Sequence, residues 1–478
     1  MLVIHRDEDR IRPHAQGAAL AQATGGRLVT VAGGGHATHA RDPVLTNLLI
    51  REFADQVSLR TVPSALSPPV TRTRALRRRK KALYISSPIG LGHAQRDVAI
   101  AAELRRLEPE LQIDWLAQHP VTAVLERAGE RIHPGSEWLA SESAHIEDES
   151  HEHDLHAFQA IRRMDEILVN NFMVFHDVVQ QESYDLVIGD EAWDIDYFLH
   201  ENPELKRFAF AWMTDFVGWL PMADGGSREA ALTADYNAEM IEHRARFERV
   251  RDRSVFVGDA EDIVPDSFGP GLPLIREWTE RNFDFAGYVT GFDPAAFGDR
   301  AVLRAGLGYA EDARICIVSV GGSGVGGSLL RRVVEAVPLA RRRVPGLCFV
   351  VVCGPRIDPE SLPSCEGVVY RRYVPRLYEH LAACDLAVVQ GGLTTCMELT
   401  ANRRPFIFVP LRHHFEQSFH VRHRLERYGA GRHMAYEEAC DPDAMAAAIA
   451  ETIERPVRYR PVAADGAARA ARLIHALL

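Results

Sequence analysis

The sequence predicts an α/β protein made of two doubly wound, parallel-sheet domains in series, facing each other across a cleft. Short apolar runs alternate with helical apolar spacing from residue 82 to about 300, and the alternation resumes from 301 to 478. Glycine-rich turns join strand to helix in both halves, where open parallel sheets bind their ligands at the carboxyl ends of the strands.

The elements follow in order. ALYISSP (82–88) reads as a buried strand, IGLGHAQRD (89–97) as a loop and VAIAAELRRL (98–107) as a helix. QIDWLAQ is a strand, VTAVLERAG a helix, and YDLVIGDE and RFAFAWM are further strands. The second half opens with RICIVSVGGSGVGGSLLRRVVEAV (314–337), which is strand, glycine turn, helix. LCFVVVCGP is a strand, and GVVYRRYVPRLYEHLAACDLAVVQGG holds two short strands around a helix. PFIFVPL is another strand, and EQSFHVRHRLERYG a helix. Runs this apolar on both faces imply parallel sheets covered by helices on each side.

Composition narrows the function classes. The 478 residues suit two or three domains, and the formal net charge of -11 argues against nucleic acid as a partner. The seven cysteines form no C-x-x-C pair and lie largely in apolar runs, as buried reduced thiols do. No apolar run reaches the ~18 residues of a membrane span, and the first residues, MLVIHRDEDR, show no signal-peptide pattern. A cytoplasmic location follows as the expectation, with a peripheral place at the inner face of the membrane left open.

Residues 1–70 read strand, helix, strand, helix, with Asp9 after the first strand and His36 after the second. This resembles the C-terminal end of an α/β-hydrolase, with Asp9 matching the triad acid and His36 the triad histidine. No G-x-S-x-G nucleophile elbow occurs anywhere in the chain. The segment is therefore expected to be a hydrolase remnant acting as a structural appendage, or the tail of a longer gene product. Residues 71–81, with the basic run RALRRRKK, read as a linker, and contact with anionic lipid is the alternative.

Three stretches carry chemistry. SVGGSGVGGS (319–328) combines glycine turns with a helix start, which favours phosphate, although a purely structural turn has the same composition. Asp190, Glu191, Asp194 and Asp196 follow a strand, so they either meet a ligand or cap a helix. Asp190 and Glu191 are the candidates on the acceptor side. QGGLTTCMEL (390–399) places Gly391 and Gly392 for close backbone approach, and Thr394 and Thr395 for a helix cap or a phosphate oxygen. Glu398 follows one turn on, about 5 Å along the helix, where a carboxylate can accept from vicinal hydroxyls such as those of a ribose. Phosphate donors beside a ribose acceptor suit a nucleotide.

The run from Gln390 to Arg432, QGGLTTCMELTANRRPFIFVPLRHHFEQSFHVRHRLERYGAGR, resembles the donor-nucleotide motif of GT-B glycosyltransferases. Within them it resembles glycosyltransferase family 28, over residues 82 to about 470. SSPIGLGHAQRDVAIAAEL is similar to that family's first glycine loop, which ends in a histidine. The resemblance implies ribose binding by Glu398, and diphosphate contact by Gly391, Gly392, Thr394 and Thr395. It implies donor-sugar contact by Glu416 and Gln417, a second phosphate loop at Gly322 and Ser323, and a base cover at Tyr373 and Val374. His93 matches the histidine of the first domain that serves as general base or acceptor-site group. The chain departs from the pattern with Gln390 before the glycine pair, Arg403-Arg404-Pro405 in place of G-x-P, and fewer glycines before His93.

The implied reaction is an inverting displacement at an anomeric carbon, with a hexose-type sugar leaving a nucleoside diphosphate, UDP in the first instance. The acceptor is a small-molecule or lipid-linked hydroxyl. His93 takes its proton, with no metal and no cofactor beyond the donor itself. Other readings are a GT-B-fold sugar-nucleotide epimerase or hydrolase, an inactive scaffold fused to a hydrolase remnant, and an ester hydrolase using Asp9 and His36. The stretch from Ser141 to Phe158, with His151, His153 and His156, reads as a solvated loop over the acceptor cleft rather than a metal site, and Arg412, His413 and His414 as donor-cleft residues. The oligomeric state is open.

Overall fold

The computed structural model describes residues 1–33, 35–59, 79–322 and 324–478. Among them fifteen strands form three all-parallel sheets. The first domain carries β3 (Lys81–Ser86), β4 (Gln112–Leu116), β5 (Arg131–Ile132), β6 (Leu186–Asp190), β7 (Ala209–Thr214), β8 (Arg253–Phe256) and β9 (Asp284–Phe285). Their order is β5-β4-β3-β6-β7-β8-β9. The second domain carries β10 (Arg314–Ser319), β11 (Leu347–Val352), β12 (Val368–Arg371), β13 (Leu386–Val389), β14 (Phe406–Phe408) and β15 (Arg432–His433) in the order β12-β11-β10-β13-β14-β15. Both sheets wind outward in two directions from their first strand, so each has a switch point, between β3 and β6 and between β10 and β13. Ligands bind outside the carboxyl ends of the strands at such points.

The central strands are apolar because helices cover both faces. Tyr84 of β3 and Trp115 of β4 stack at 4.4 Å between ring centroids on one face, packed with Ile100 and Leu104 of the helix Leu91–Leu107. Leu83, Val187 and Trp212 point to the other face, against Phe172 and Phe175 of the helix Asp165–Gln181. That helix, Gly226–Arg246 and the short strands β5, β8, β9 and β15 add to the elements read from the sequence.

Three features differ from expectation or extend it. The helix after β3 starts at Leu91, so residues read as loop form its first two turns and His93 is helical. Gly90, at φ 112°, takes the left-handed conformation that lets the chain turn into it. The segment 141–163 is no solvated loop. It forms the helices Glu142–Asp148 and Ala157–Arg162 and straps the first domain to the second. His153 is fully buried with Nε2 3.0 Å from Val409 O, and Leu155 N donates to Arg412 O at 3.1 Å. Finally, the helix Gly466–His475 leaves the second sheet and packs on Leu91–Leu107 of the first domain, burying Ala470, Ala471 and Ile474 there.

The first 59 residues form a small appendage, with β1 (Leu2–Arg6) parallel to β2 (Arg27–Val31). Its helix Pro43–Leu59 docks on Asp165–Gln181, burying Val44, with Arg51 Nη2 2.5 Å from Asp177 Oδ1. Asp9 and His36 meet, Oδ2 to Nδ1 at 2.9 Å. The basic linker lies almost wholly outside the described residues, and Lys81 already belongs to β3. No helix among the described residues is long and apolar enough to cross a membrane.

Candidate active site

One cavity opens between the carboxyl ends of the two sheets. Its walls carry Gly90, Gly92 and His93 from the first domain and Gly322, Gly392, Thr394, Thr395 and Glu398 from the second. Tyr373, Val374, Glu416 and Gln417 line it as well. Ser323 lies outside the described residues. Gly391, at φ 106°, stands behind the wall against Pro410 and shapes the turn.

The second domain contributes the helix Leu393–Ala401, which begins immediately after β13. Its first N–H groups have no acceptor within the helix, and its dipole adds partial positive charge, so this end favours an anion. Gln390 holds the facing turn: rotated so that its amide nitrogen meets Val320 O and Val325 O, it donates to both at 2.7 and 2.8 Å. Its place before the glycine pair is thus structural, tying the β10 turn to the β13 turn.

Glu398 is only 6% exposed, yet its carboxylate makes no hydrogen bond or ion pair with any described residue. Burial pushes it up to about 8. Its oxygens have no partner among the described residues and open onto the cavity, where a hydrogen-bond donor could reach them. Gln417 Oε1 accepts from Leu411 N at 2.9 Å, which anchors the strand-to-helix turn after β14. Residues Glu416–Val421 wind as a π-helix, a form that often marks functional sites. Burial, with Asp215 and Glu191 adding to it, raises Glu416 to about 8, and burial lowers His414 to about 4. Arg127 of the first domain stacks on Tyr373 of the second, its guanidinium carbon 4.3 Å from the ring centroid. His413 stands outside the cavity wall, between Asp154 and Asp224.

On the first domain's side, His93 Nδ1 is 3.0 Å from Asp190 Oδ2, while Nε2 is 3.9 Å from Glu191 Oε2. Asp190 and Glu191 do not line the main cavity. They sit buried behind His93 at the end of β6. Glu191 has φ 50°, unusual for a residue with a side chain, and its Oε1 accepts from Thr214 Oγ1 at 3.1 Å and Asp215 N at 3.2 Å. Burial and Asp215 push Glu191 up to about 7. Asp190 goes the other way: Arg96 and His93 outweigh its burial and hold it below the usual carboxylate range.

Arg96, absent from the sequence-level candidates, organises this cluster. It is 3% exposed and donates through Nε and Nη2 to the two oxygens of Asp190 at 2.9 and 2.5 Å, and through Nη1 to Asp215. It follows His93 by three residues, one turn along the same helix face, and that spacing was its available signal. His93, Asp190 and Glu191 bring ligand-type atoms within 4.8 Å of one another, and Arg96 already supplies the balancing positive charge. Asp194 and Asp196 lie outside the main cavity: Asp194 lines a smaller one with Glu142 and Asn171, and Asp196 pairs with Arg251 at 2.5 and 2.6 Å.

Residues 316–477 match the glycosyltransferase family 28 C-terminal domain. A protein of Methanopyrus kandleri named as an uncharacterized glycosyltransferase is 31% identical over 213 residues, covering 44% of this chain and 59% of its own length. A UDP-N-acetylglucosamine--N-acetylmuramyl-(pentapeptide) pyrophosphoryl-undecaprenol N-acetylglucosamine transferase of Mycolicibacterium smegmatis is 38% identical over 209 residues, covering 41% of this chain and 50% of its own. The matched region thus spans about half the length of these relatives. The solved structure of spinosyn rhamnosyltransferase complexed with spinosyn aglycone aligns at a TM-score of 0.50 and 15% identity, over 83% of this chain and 95% of that one, which shows the GT-B arrangement of two Rossmann-like domains.

Proposed function

With a family 28 C-terminal domain in a GT-B fold as the premise, we propose that the chain transfers a hexose-type sugar from a nucleoside diphosphate donor to an acceptor hydroxyl, with inversion and without a metal. One observation carries this reading. Glu398, whose carboxylate opens onto the cavity without a partner among the described residues, shares it with the N-terminus of its own helix and with His93 of the opposite domain. A ribose would satisfy Glu398, and a diphosphate would meet the helix end and the β10 turn at Gly322. The name of the Mycolicibacterium relative makes UDP the first nucleotide to test.

The acceptor oxygen attacks the anomeric carbon as the bond to the diphosphate oxygen breaks. His93 Nε2 receives the hydroxyl proton, and the diphosphate departs with its charge met by backbone N–H groups already in place. Burial and Arg96 pull the His93 proton affinity down, but Asp190 and Glu191 outweigh them and bring it up to about 9. The base form therefore predominates only above about pH 9 in the free site, and the transfer rate should climb as pH rises toward that value.

Thermal-shift titration with UDP, GDP and dTDP, run beside Glu398→Ala, tests the donor site. Stabilisation by one diphosphate, lost in the variant, is expected. Absence of a shift with all three would sink the reading.

A further inference from the structure

We propose that Arg96 is the positioning residue that sets the tautomer and basicity of His93, which a lone Asp190 would otherwise fix. The inference rests on the reading of His93 as the base.

In a simple carboxylate–imidazole pair, the carboxylate accepts from Nδ1–H and leaves the Nε2 lone pair facing the substrate. Here Asp190 is shared: each of its oxygens also accepts from Arg96, at 2.9 and 2.5 Å, and the contest is over Nδ1. The same Nη2 lies 2.8 Å from His93 Nδ1, which is itself 3.0 Å from Asp190 Oδ2. A guanidinium only donates. Nδ1 cannot carry a proton toward Asp190 and accept one from Arg96 at the same time. With Nδ1–H on Asp190, Nε2 is free as a base. With Nδ1 accepting from Arg96, the neutral ring carries its proton on Nε2 and cannot act.

The charged and titratable groups around the ring are Arg96 and the buried Asp97 on its own helix, Asp190 and Glu191 at the end of β6, Asp215 at the end of β7, and Glu416 from the second domain. Arg96 is the one cation among these carboxylates. Its third anchor, Asp215, is held in turn by the second domain, whose Arg424 Nη2 donates to Asp215 O at 2.9 Å. The position of the fork, and with it the state of His93, is thereby tied to how the two domains meet.

The test needs no substrate. Histidine-labelled full-length chain is titrated by NMR, with the His93 signals assigned through His93→Gln. The comparison is wild type, Arg96→Lys, and the charge-balanced pair Arg96→Met with Asp215→Asn. In the charge-balanced variant the Nδ1–H tautomer is expected to dominate, and proton affinity to rise by about tenfold or more as a full carboxylate charge returns to Asp190. In Arg96→Lys, which keeps the charge but loses the fork, the tautomer ratio is expected to shift with a smaller change in affinity. An unchanged tautomer ratio and titration midpoint in a variant that melts like wild type would overturn the proposal. Should the charge-balanced variant fail to fold, Arg96→Lys decides by the same criterion. Nucleotide binding, measured separately, reports on the transferase reading alone.

Discussion

A methyl group built on Gly92 would lie 2.0 Å from the hydroxyl oxygen of Thr394, so the first turns of two helices from opposite domains touch across the cleft. Gly322 makes a similar approach to Leu91, with 2.7 Å between a built Cβ and Leu91 Cγ. The glycines that allow a ligand to come close also let the domains close on each other.

Gly92→Ala should therefore wedge the cleft open. The overlap is with a side chain across the interface, so each domain should fold normally while closure loses about 1–3 kcal/mol. Small-angle scattering should show a larger radius of gyration, and Thr394→Gly in the same chain should restore the wild-type value.

Glu398 should trade stability for binding. Its folded proton affinity, raised to about 8 by burial, exceeds the unfolded value. The folded state thus holds an extra proton between the ordinary carboxylate range and pH 8, and stability falls as pH rises through that window. Glu398→Gln cannot ionise, so its melting temperature should exceed wild type by a few degrees at pH 8–9 and match it at low pH. Above about pH 8, where the wild-type carboxylate is charged, the same variant should bind nucleoside diphosphate about tenfold or more weakly, the cost of one hydrogen bond to a charged acceptor.

His93→Ala should leave diphosphate binding intact and lower the transfer rate about 10²–10⁴-fold. Single-turnover kinetics beside a binding isotherm separates the two. An equal loss in both would mean that His93 holds the donor.

His413 of the second domain sits between two carboxylates of the first, with Nδ1 2.6 Å from Asp154 Oδ1 and Nε2 bonded to Asp224. The bond to Asp154 raises its proton affinity, and Asp224 adds to this against burial. A raised histidine stabilises fully below its ordinary value and ceases to do so as pH rises through the folded one. Because Asp224 is largely exposed, the contribution should be about 1 kcal/mol or less. His413→Gln should lower the melting temperature slightly at pH 6 and leave it unchanged at pH 9.

Much of this was legible in the sequence because periodicity and turn chemistry are local. The apolar runs around Leu83, Ile188, Ile317 and Val388 announce strands with both faces covered, and QGGLTTCMEL announces a helix start at a sheet edge. What escaped depends on distant partners. Arg96 draws its role from Asp190 and Asp215, 94 and 119 residues away. The polar stretch around His153 looks solvated until Val409, 256 residues on, accepts its hydrogen bond. The two-residue strands β5, β9 and β15 are too short to show a period.

The return of the helix Gly466–His475 to the first domain bears on anyone recombining such proteins. A chimera that exchanged the second domain as one block from residue 301 onward would carry a foreign helix onto the native surface of Leu91–Leu107, and any side chain in place of Gly466 would meet the Tyr288 carbonyl, 2.1 Å from a built Cβ. Exchange of the donor half is better cut twice, near residue 300 and again before Gly466, so that the last helix stays with the partner it was fitted to.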